Sequence, residues 1–240
     1  LLGETSDVYG ESSFRSTSGI TAMRDTRVDM PFATSGGMQS LSPLGGDTTQ
    51  VFDVSDDGST VVGRSWNRAV RWDSGGNVLA VTNELDSRST SVNADGSVIV
   101  GQRPSGQSSS AFRWSETGGI EDLGTAGVFS LPTAVSADGG VVVGQLASSA
   151  FRWTVSGGVQ DFGPTTHSAH GVSDDGTVVV GNGQSVPFIW IEGQGLMDLS
   201  SYAASAGVDL TGWTLGTAWA MSADGLHIVG TGLHNGVTSG

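Results

Sequence analysis

The 240 residues carry 24 acidic and 10 basic side chains, the basic ones all Arg, so the net charge of −14 leaves no clustered positive footprint and excludes nucleic acid as a partner. No Cys is present, which removes disulfides and thiolate chemistry, and no apolar run approaches the roughly 20 residues that cross a bilayer. Hydrophobic content of 37% suffices for a core, while 38 Gly with 14% charged residues predicts short strands joined by tight turns.

In chain order, Leu1-Leu2-Gly3 is no basic-then-apolar secretory leader and matches the end of an outer strand instead. Val8-Tyr9-Gly10 reads as the start of a first unit, Phe14–Arg27 as an insertion in it, and Phe32-Ala33-Thr34 before Gly36-Gly37-Met38 as its second half. A motif then recurs five times: Asp53–Gly58, Ser91–Gly96, Ala134–Gly139, Gly171–Gly176 and Ala220–Gly225 each run small, apolar, Ser or Asn, any residue, Asp-Gly, apart from the larger Asp53 at the first position. Each copy precedes an apolar run ending in Gly, from Val61-Val62-Gly63 to Ile228-Val229-Gly230. Val70-Arg71-Trp72, Phe112-Arg113-Trp114, Phe151-Arg152-Trp153 and Phe188-Ile189-Trp190 follow, each before a Gly-containing turn.

Four β-rich runs separated by Asp-Gly or Gly-Gly form a four-stranded meander, with strands a to d. The motif aspartates at 57, 95, 138, 175 and 224 recur at 37 to 49 residues, a period that fits propeller blades. The expected fold is all-β: one β-propeller domain, residues 1–240, of four-stranded antiparallel blades, six in number with five as the rival. The repeats cover about 8–49, 50–89, 90–132, 133–169 and 170–218, with a partial unit 219–240 that closes with 1–7. Gly240 falls just before strand c of that last unit, so the blade is expected to be finished by a continuing polypeptide or a partner.

In the aligned a strands, Tyr9, Phe52, Thr90, Thr133, His170 and Trp219 precede the mostly small position and should face the other side of the strand. Arg71, Arg113 and Arg152 share a strand-c position, predicting structural ion pairs with strand-d carboxylates such as Asp122 and Asp161, or cation–π contacts. The Trp that follows in each copy belongs to inter-blade packing.

Val-Ser-Ala-Asp-Gly, Val-Val-Val-Gly, Ala-Phe-Arg-Trp and Gly-Gly-Val-Gln-Asp-Phe-Gly in residues 135–163 resemble the bacterial extracellular HAF-repeat family, and the Asp-Gly blades look like those of TolB- and WD40-type propellers. That resemblance implies a propeller at an extracellular or cell-surface location and brings no catalytic residue with it. Ser55-Asp56-Asp57-Gly58 is similar to a sialidase Asp box but departs from it in the Asp-Gly contact and the following aromatic.

Adjacent acids at Asp56-Asp57, Glu121-Asp122 and Asp174-Asp175 point to opposite faces or sit in the repeated turn, unlike the facing pair of a glycosidase. There is no Gly-x-Ser-x-Gly elbow. Since an array's scaffold repeats and its binding loops vary, the ligand candidates are non-repeated: His167 in Pro164–Ser168, Phe129 in Ala126–Leu131, Tyr202 and Trp213 in the long connection Ser200–Thr217, and His170. Trp66, in a b-to-c loop on the outer part of a blade, ranks below them. His167 and His170 lack a third ligand, so neither metal nor cofactor is expected. The functional expectation is a secreted or surface-displayed, non-catalytic binding or structural module for carbohydrate or protein. The alternatives are a polysaccharide-acting hydrolase or lyase, and a strand-exchanging subunit assembling through its incomplete blade.

Overall fold

A computed structural model describes residues 14–15, 21–22, 31–34, 37–45 and 48–239. Six antiparallel sheets follow one another along the chain. Sheet 1 comprises β1 (Phe14–Arg15), β2 (Thr21–Ala22), β3 (Pro31–Thr34) and β4 (Gly37–Ser40); sheet 2 comprises β5 (Thr49–Val54), β6 (Val61–Ser65), β7 (Arg68–Trp72) and β8 (Val78–Ala80). Sheet 3 holds β9 (Arg88–Val92), β10 (Val98–Ser105), β11 (Ser108–Ser115) and β12 (Gly119–Asp122). Sheet 4 holds β13 (Ser130–Val135), β14 (Val141–Leu146), β15 (Ser149–Thr154) and β16 (Gly158–Asp161). Sheet 5 is β17 (Thr166–Val172), β18 (Val178–Gly183), β19 (Pro187–Ile191) and β20 (Gly195–Asp198), and helix α1 (Leu199–Ser205) leads to sheet 6, β21 (Trp213–Met221), β22 (Ile228–His234) and β23 (Val237–Ser239). The first strands of sheets 2 to 6 touch in succession, so these sheets are propeller blades with strand a innermost.

The repeated motif forms the a-to-b turn. In sheet 4, Asp138 Oδ1 accepts from the Ser136 hydroxyl at 2.6 Å and the Gly140 N–H at 2.8 Å, and Ser136 Oγ accepts from the Val141 N–H at 2.9 Å. Asn93 does the same work in sheet 3, its amide N–H reaching Asp95 at 2.8 Å and its Oδ1 accepting from Val98 at 2.8 Å, which is why the motif admits Ser or Asn. Glycine after the Asp has two causes: φ is +71° at Gly139, and a Cβ there would stand 2.5 Å from Val98 Cγ2 of the preceding blade. The turns also join blades. Asp56 N–H donates to Ala94 O at 3.0 Å, Ala137 N–H to Asp174 O at 3.1 Å and Asp174 N–H to Ala223 O at 2.9 Å.

The core lies between the blades. Val100, Ala111 and Leu123 of sheet 3 pack on Val142, Phe151 and Trp153 of sheet 4, and Val141, Val143 and Ala150 of sheet 4 pack on Val179, Phe188 and Trp190 of sheet 5. Burying one such large side chain is worth about 1.5–3 kcal/mol. Phe162, at the end of sheet 4, stacks on Trp190 with centroids 5.7 Å apart.

Three expectations change. Phe14–Arg15 and Thr21–Ala22 are strands of sheet 1, although the sequence placed them in an insertion; without Asp-Gly they carry no turn signal. The last sheet does include a strand c, since Val237–Ser239 pairs with β22 through His234↔Val237, Leu233↔Thr238 and Gly232↔Ser239. This strand lacks the Phe-x-Trp signature that marks strand c in sheets 3 to 5. Its strand a begins at Trp213, ahead of the boundary read at residue 219. The expected strands at Val8–Gly10 and Leu1–Gly3 lie outside the described residues.

Candidate functional site

Sheets 2 to 6 share a feature that strict alternation conceals. Strand a carries a β-bulge at one repeated place, and the extra residue is Phe52, Thr90, Thr133, His170 or Trp219. Facing the bulge on strand b stands Gly63, Gly101, Gly144, Gly181 or Gly230, where a Cβ would run into the backbone carbonyl of Gln50, Arg88, Leu131, Ser168 or Thr217. Close backbone approach therefore explains the Gly that ends each apolar run. Thr133 uses its hydroxyl to reach the next blade, donating to Ala169 O at 2.7 Å.

Two strands carry a second bulge, at His167 in β17 and Gly216 in β21. These two positions, with Ser148, Asn182, Gln184 and Thr217, line a cleft of about 600 Å³ on the rim formed by b-to-c turns and strand-a starts. No carboxylate is among the described residues that line it. Asn182 organises its inner wall: Oδ1 accepts from the Ala218 N–H at 3.0 Å, which fixes the amide so that Nδ2 donates to His170 Nε2 at 3.1 Å. Burial, with His167 adding a smaller repulsion, lowers the His170 pKa to about 4 and keeps the ring neutral, in agreement with Nε2 as an acceptor. The same ring packs on Trp219 at 5.2 Å.

The candidates read from sequence divide into two places. His167 is exposed in the rim cleft, and His170 lies behind it, joined through Asn182. Tyr202 sits on α1 and Trp213 in β21, stacked on His234 at 4.6 Å; both line a separate cavity of about 490 Å³ between α1 and sheet 6. Neither belongs to a loop, contrary to expectation, because β21 is longer than the repeat and Asp198 caps α1 by accepting from the Ser201 N–H at 2.7 Å. Phe129 is 39% exposed and lines neither cavity. Trp66 occupies the b-to-c turn of sheet 2 at φ +48°, under the Arg68 guanidinium at 5.1 Å. Asn182 and Thr217 were missed because neither departs from ordinary strand composition; only the second bulges bring them to the cleft.

The repeated Arg residues join blades more than they join strand d. Arg71 lies over Trp114 of the next sheet at 4.7 Å and Arg152 over Trp190 at 4.8 Å, while Arg113 Nε donates to Gly139 O at 2.9 Å. Arg113 approaches Glu121 at 3.6 Å, whereas Asp122, the expected partner, faces Arg103 at 3.6 Å. Asp53 takes a place held elsewhere by small residues and accepts from the Ser91 hydroxyl at 2.7 Å and the Val92 N–H at 3.0 Å of sheet 3. Burial outweighs these bonds and pushes its carboxyl up to about 6. Among the described residues no three His, Asp or Glu side chains gather as a metal site, and no helix is long and apolar enough to cross a membrane.

No family model and no curated protein matches the chain. Solved structures do. A putative TolB from Agrobacterium tumefaciens is 15% identical with a TM-score of 0.56 over 93% of this chain and 82% of its own. TolB from Acinetobacter baumannii is 18% identical with a TM-score of 0.53 over 78% of this chain, which spans about half, 51%, of that one. A chain of a nidogen/laminin complex is 11% identical with a TM-score of 0.53, covering 78% and 74%. These likenesses define the class by fold: the chain is a β-propeller.

Proposed function

We propose that the chain is a secreted or surface-displayed propeller that acts as a non-catalytic binding module, taking a carbohydrate or protein ligand at the rim cleft. The observation that carries this reading is the cleft's composition. His167, Asn182, Gln184, Ser148 and Thr217 present neutral donors and acceptors, which suit hydroxyl-rich or peptide-backbone partners. The similarity of residues 135–163 to the HAF-repeat family supports the extracellular location. The alternative, a polysaccharide-acting hydrolase or lyase, requires two carboxyls across a scissile bond; Asp57 and Asp175 instead hold the a-to-b turns through Ser55 and Ser173.

A glycan array and an extracellular-protein array probed with the wild type and with His167→Ala and Gln184→Ala would test the proposal. A hit weakened about tenfold by both substitutions, with thermal stability unchanged within about 0.5 kcal/mol, is the expected result. Hits insensitive to both variants, or cleavage of a bound polysaccharide, would overturn it.

A further inference from the structure

The junction of sheets 2 and 3 departs from the other blade junctions at one repeated place. One residue after the Gly that faces the bulge, strand b carries Arg64, Gln102, Gln145 or Asn182, paired within its own sheet with Gln50, Arg88, Leu131 or Ser168. From this place the side chain reaches strand a of the next sheet: Gln102 Nε2 donates to Ser130 O at 2.9 Å, and Asn182 Oδ1 accepts from the Ala218 N–H at 3.0 Å. The places brought together across successive junctions therefore hold Gln102 and Leu131, Gln145 and Ser168, and Asn182 and Thr217, all neutral, but Arg64 and Arg88 between sheets 2 and 3.

Two guanidinium groups thus share one junction in a chain of net charge −14. Each gives an Nη2 bond to a neutral amide, Arg64 to Asn67 Oδ1 at 2.6 Å and Arg88 to Gln102 Oε1 at 3.1 Å, and both Nε atoms are buried without a hydrogen-bond partner among the described residues. Asp86, 3.6 Å from Arg64 Nη2, is the one acid among the described residues within 4.0 Å of either guanidinium. Burial, with repulsion from Arg64 as the smaller cause, holds the Arg88 pKa below its ordinary value, yet an Arg keeps its charge. Two positive charges against one negative leave a place for a single anionic group, and a carboxylate matches the planar fork of donors that a guanidinium presents.

Beside this pair lies a cavity of about 350 Å³ lined by Thr48, Trp66, Asn67 and Leu85, large enough for one small ligand unit. Asn67 joins the two, since the side chain that lines the cavity also holds Arg64. Trp66 takes, at φ +48°, the turn position that Gly106, Ala147 and Asn235 fill in other sheets, and it is 51% exposed. A bulky residue in the left-handed region is strained, and so exposed a ring gains little from the core in return. An exposed indole next to a pair of cations suits the apolar C–H face of an acidic sugar. We propose that this junction binds a uronic acid unit of an acidic polysaccharide, its carboxylate held by Arg64 and Arg88, its ring against Trp66 and its hydroxyls toward Thr48 and Asn67. The site shares no residue with the rim cleft and is independent of the ligand proposed there.

The probe is a trisaccharide of galacturonic acid, titrated calorimetrically into the protein beside the same trisaccharide with its carboxyls methyl-esterified. Saturable binding of the acid is expected, weakened about tenfold or more by esterification, by Arg88→Gln and by Trp66→Ala, and unchanged by His167→Ala. No binding up to about 1 mM, equal binding of acid and ester, insensitivity to both Arg88→Gln and Trp66→Ala, or loss with His167→Ala overturns the proposal. So does tighter binding of a Glu-rich peptide that Trp66→Ala leaves intact, because a protein segment would then be the occupant. Should Arg88→Gln lower the melting temperature, the comparison of acid with ester still decides.

Discussion

At single positions, the repeated turn and two buried titratable groups govern stability. Gly139→Ala forces a side chain into φ +71° and onto Val98, so a loss of roughly 2–4 kcal/mol is expected in denaturant unfolding. Asp53 and His170 act in opposite directions on acidification. Asp53 titrates at about 6 when folded and 3.8 in its ordinary state, so the folded chain binds the extra proton and gains stability as pH falls between these values. For His170, about 4 when folded against 6.5, the unfolded chain binds it, and stability is lost over the overlapping window. Each is worth on the order of 3 kcal/mol. Wild-type melting temperature should therefore vary little from pH 6 to 4, while Asp53→Asn loses stability toward pH 4 and His170→Gln gains it. Parallel profiles for all three proteins would contradict this balance. Below about pH 4, protonation of Asp95, Asp138, Asp175 and Asp224, held low by the hydroxyl and N–H donors of their turns, destabilises all three alike.

Within the strands, the Gly facing the bulge and the Arg crossing to the next blade do most to fix geometry. Arg152→Leu removes a cation–π contact with Trp190 and the bond to Gly176 O at 3.1 Å, and is expected to cost about 1–2 kcal/mol by thermal denaturation. Four-stranded blades were legible from Asp-Gly turns because the turn is local: Ser136, Asp138 and Gly139 make it among themselves. Bulges were not legible, since alternation assumes a regular ladder and the facing Gly looks like any other Gly. The rim cleft suffered from the same blindness. His167 was picked out as non-repeated, but its neighbours Asn182 and Thr217 come from two blades and meet only through the second bulges. Tyr202 and Trp213 depart from the repeat by the same rule and lie on a helix and a strand: Asp198 caps α1 and Tyr202 packs in the cluster shared with sheet 5, while Trp213 opens a strand longer than the repeat and stacks on His234.

Across the whole molecule, stability should be graded along the array. Sheets 3 to 5 are packed on both faces, while in sheet 6 Trp219 is 52% and Val229 61% exposed. Native-state hydrogen exchange should accordingly show β22 and β23 opening at lower free energy than β10 and β14, and uniform protection would argue against a graded array. The bulge row has a consequence of another kind. Phe, two Thr, His and Trp share that position across five blades, so one backbone device tolerates side chains of very different volume and polarity. The ladder is held by the facing Gly and not by what projects from the bulge. Substitution of Phe52 or Thr90 can therefore rewrite the chemistry of the innermost strands without disturbing the facing Gly, whereas Thr133, bonded to Ala169 O, and His170, bonded to Asn182 and packed on Trp219, also tie neighbouring strands together.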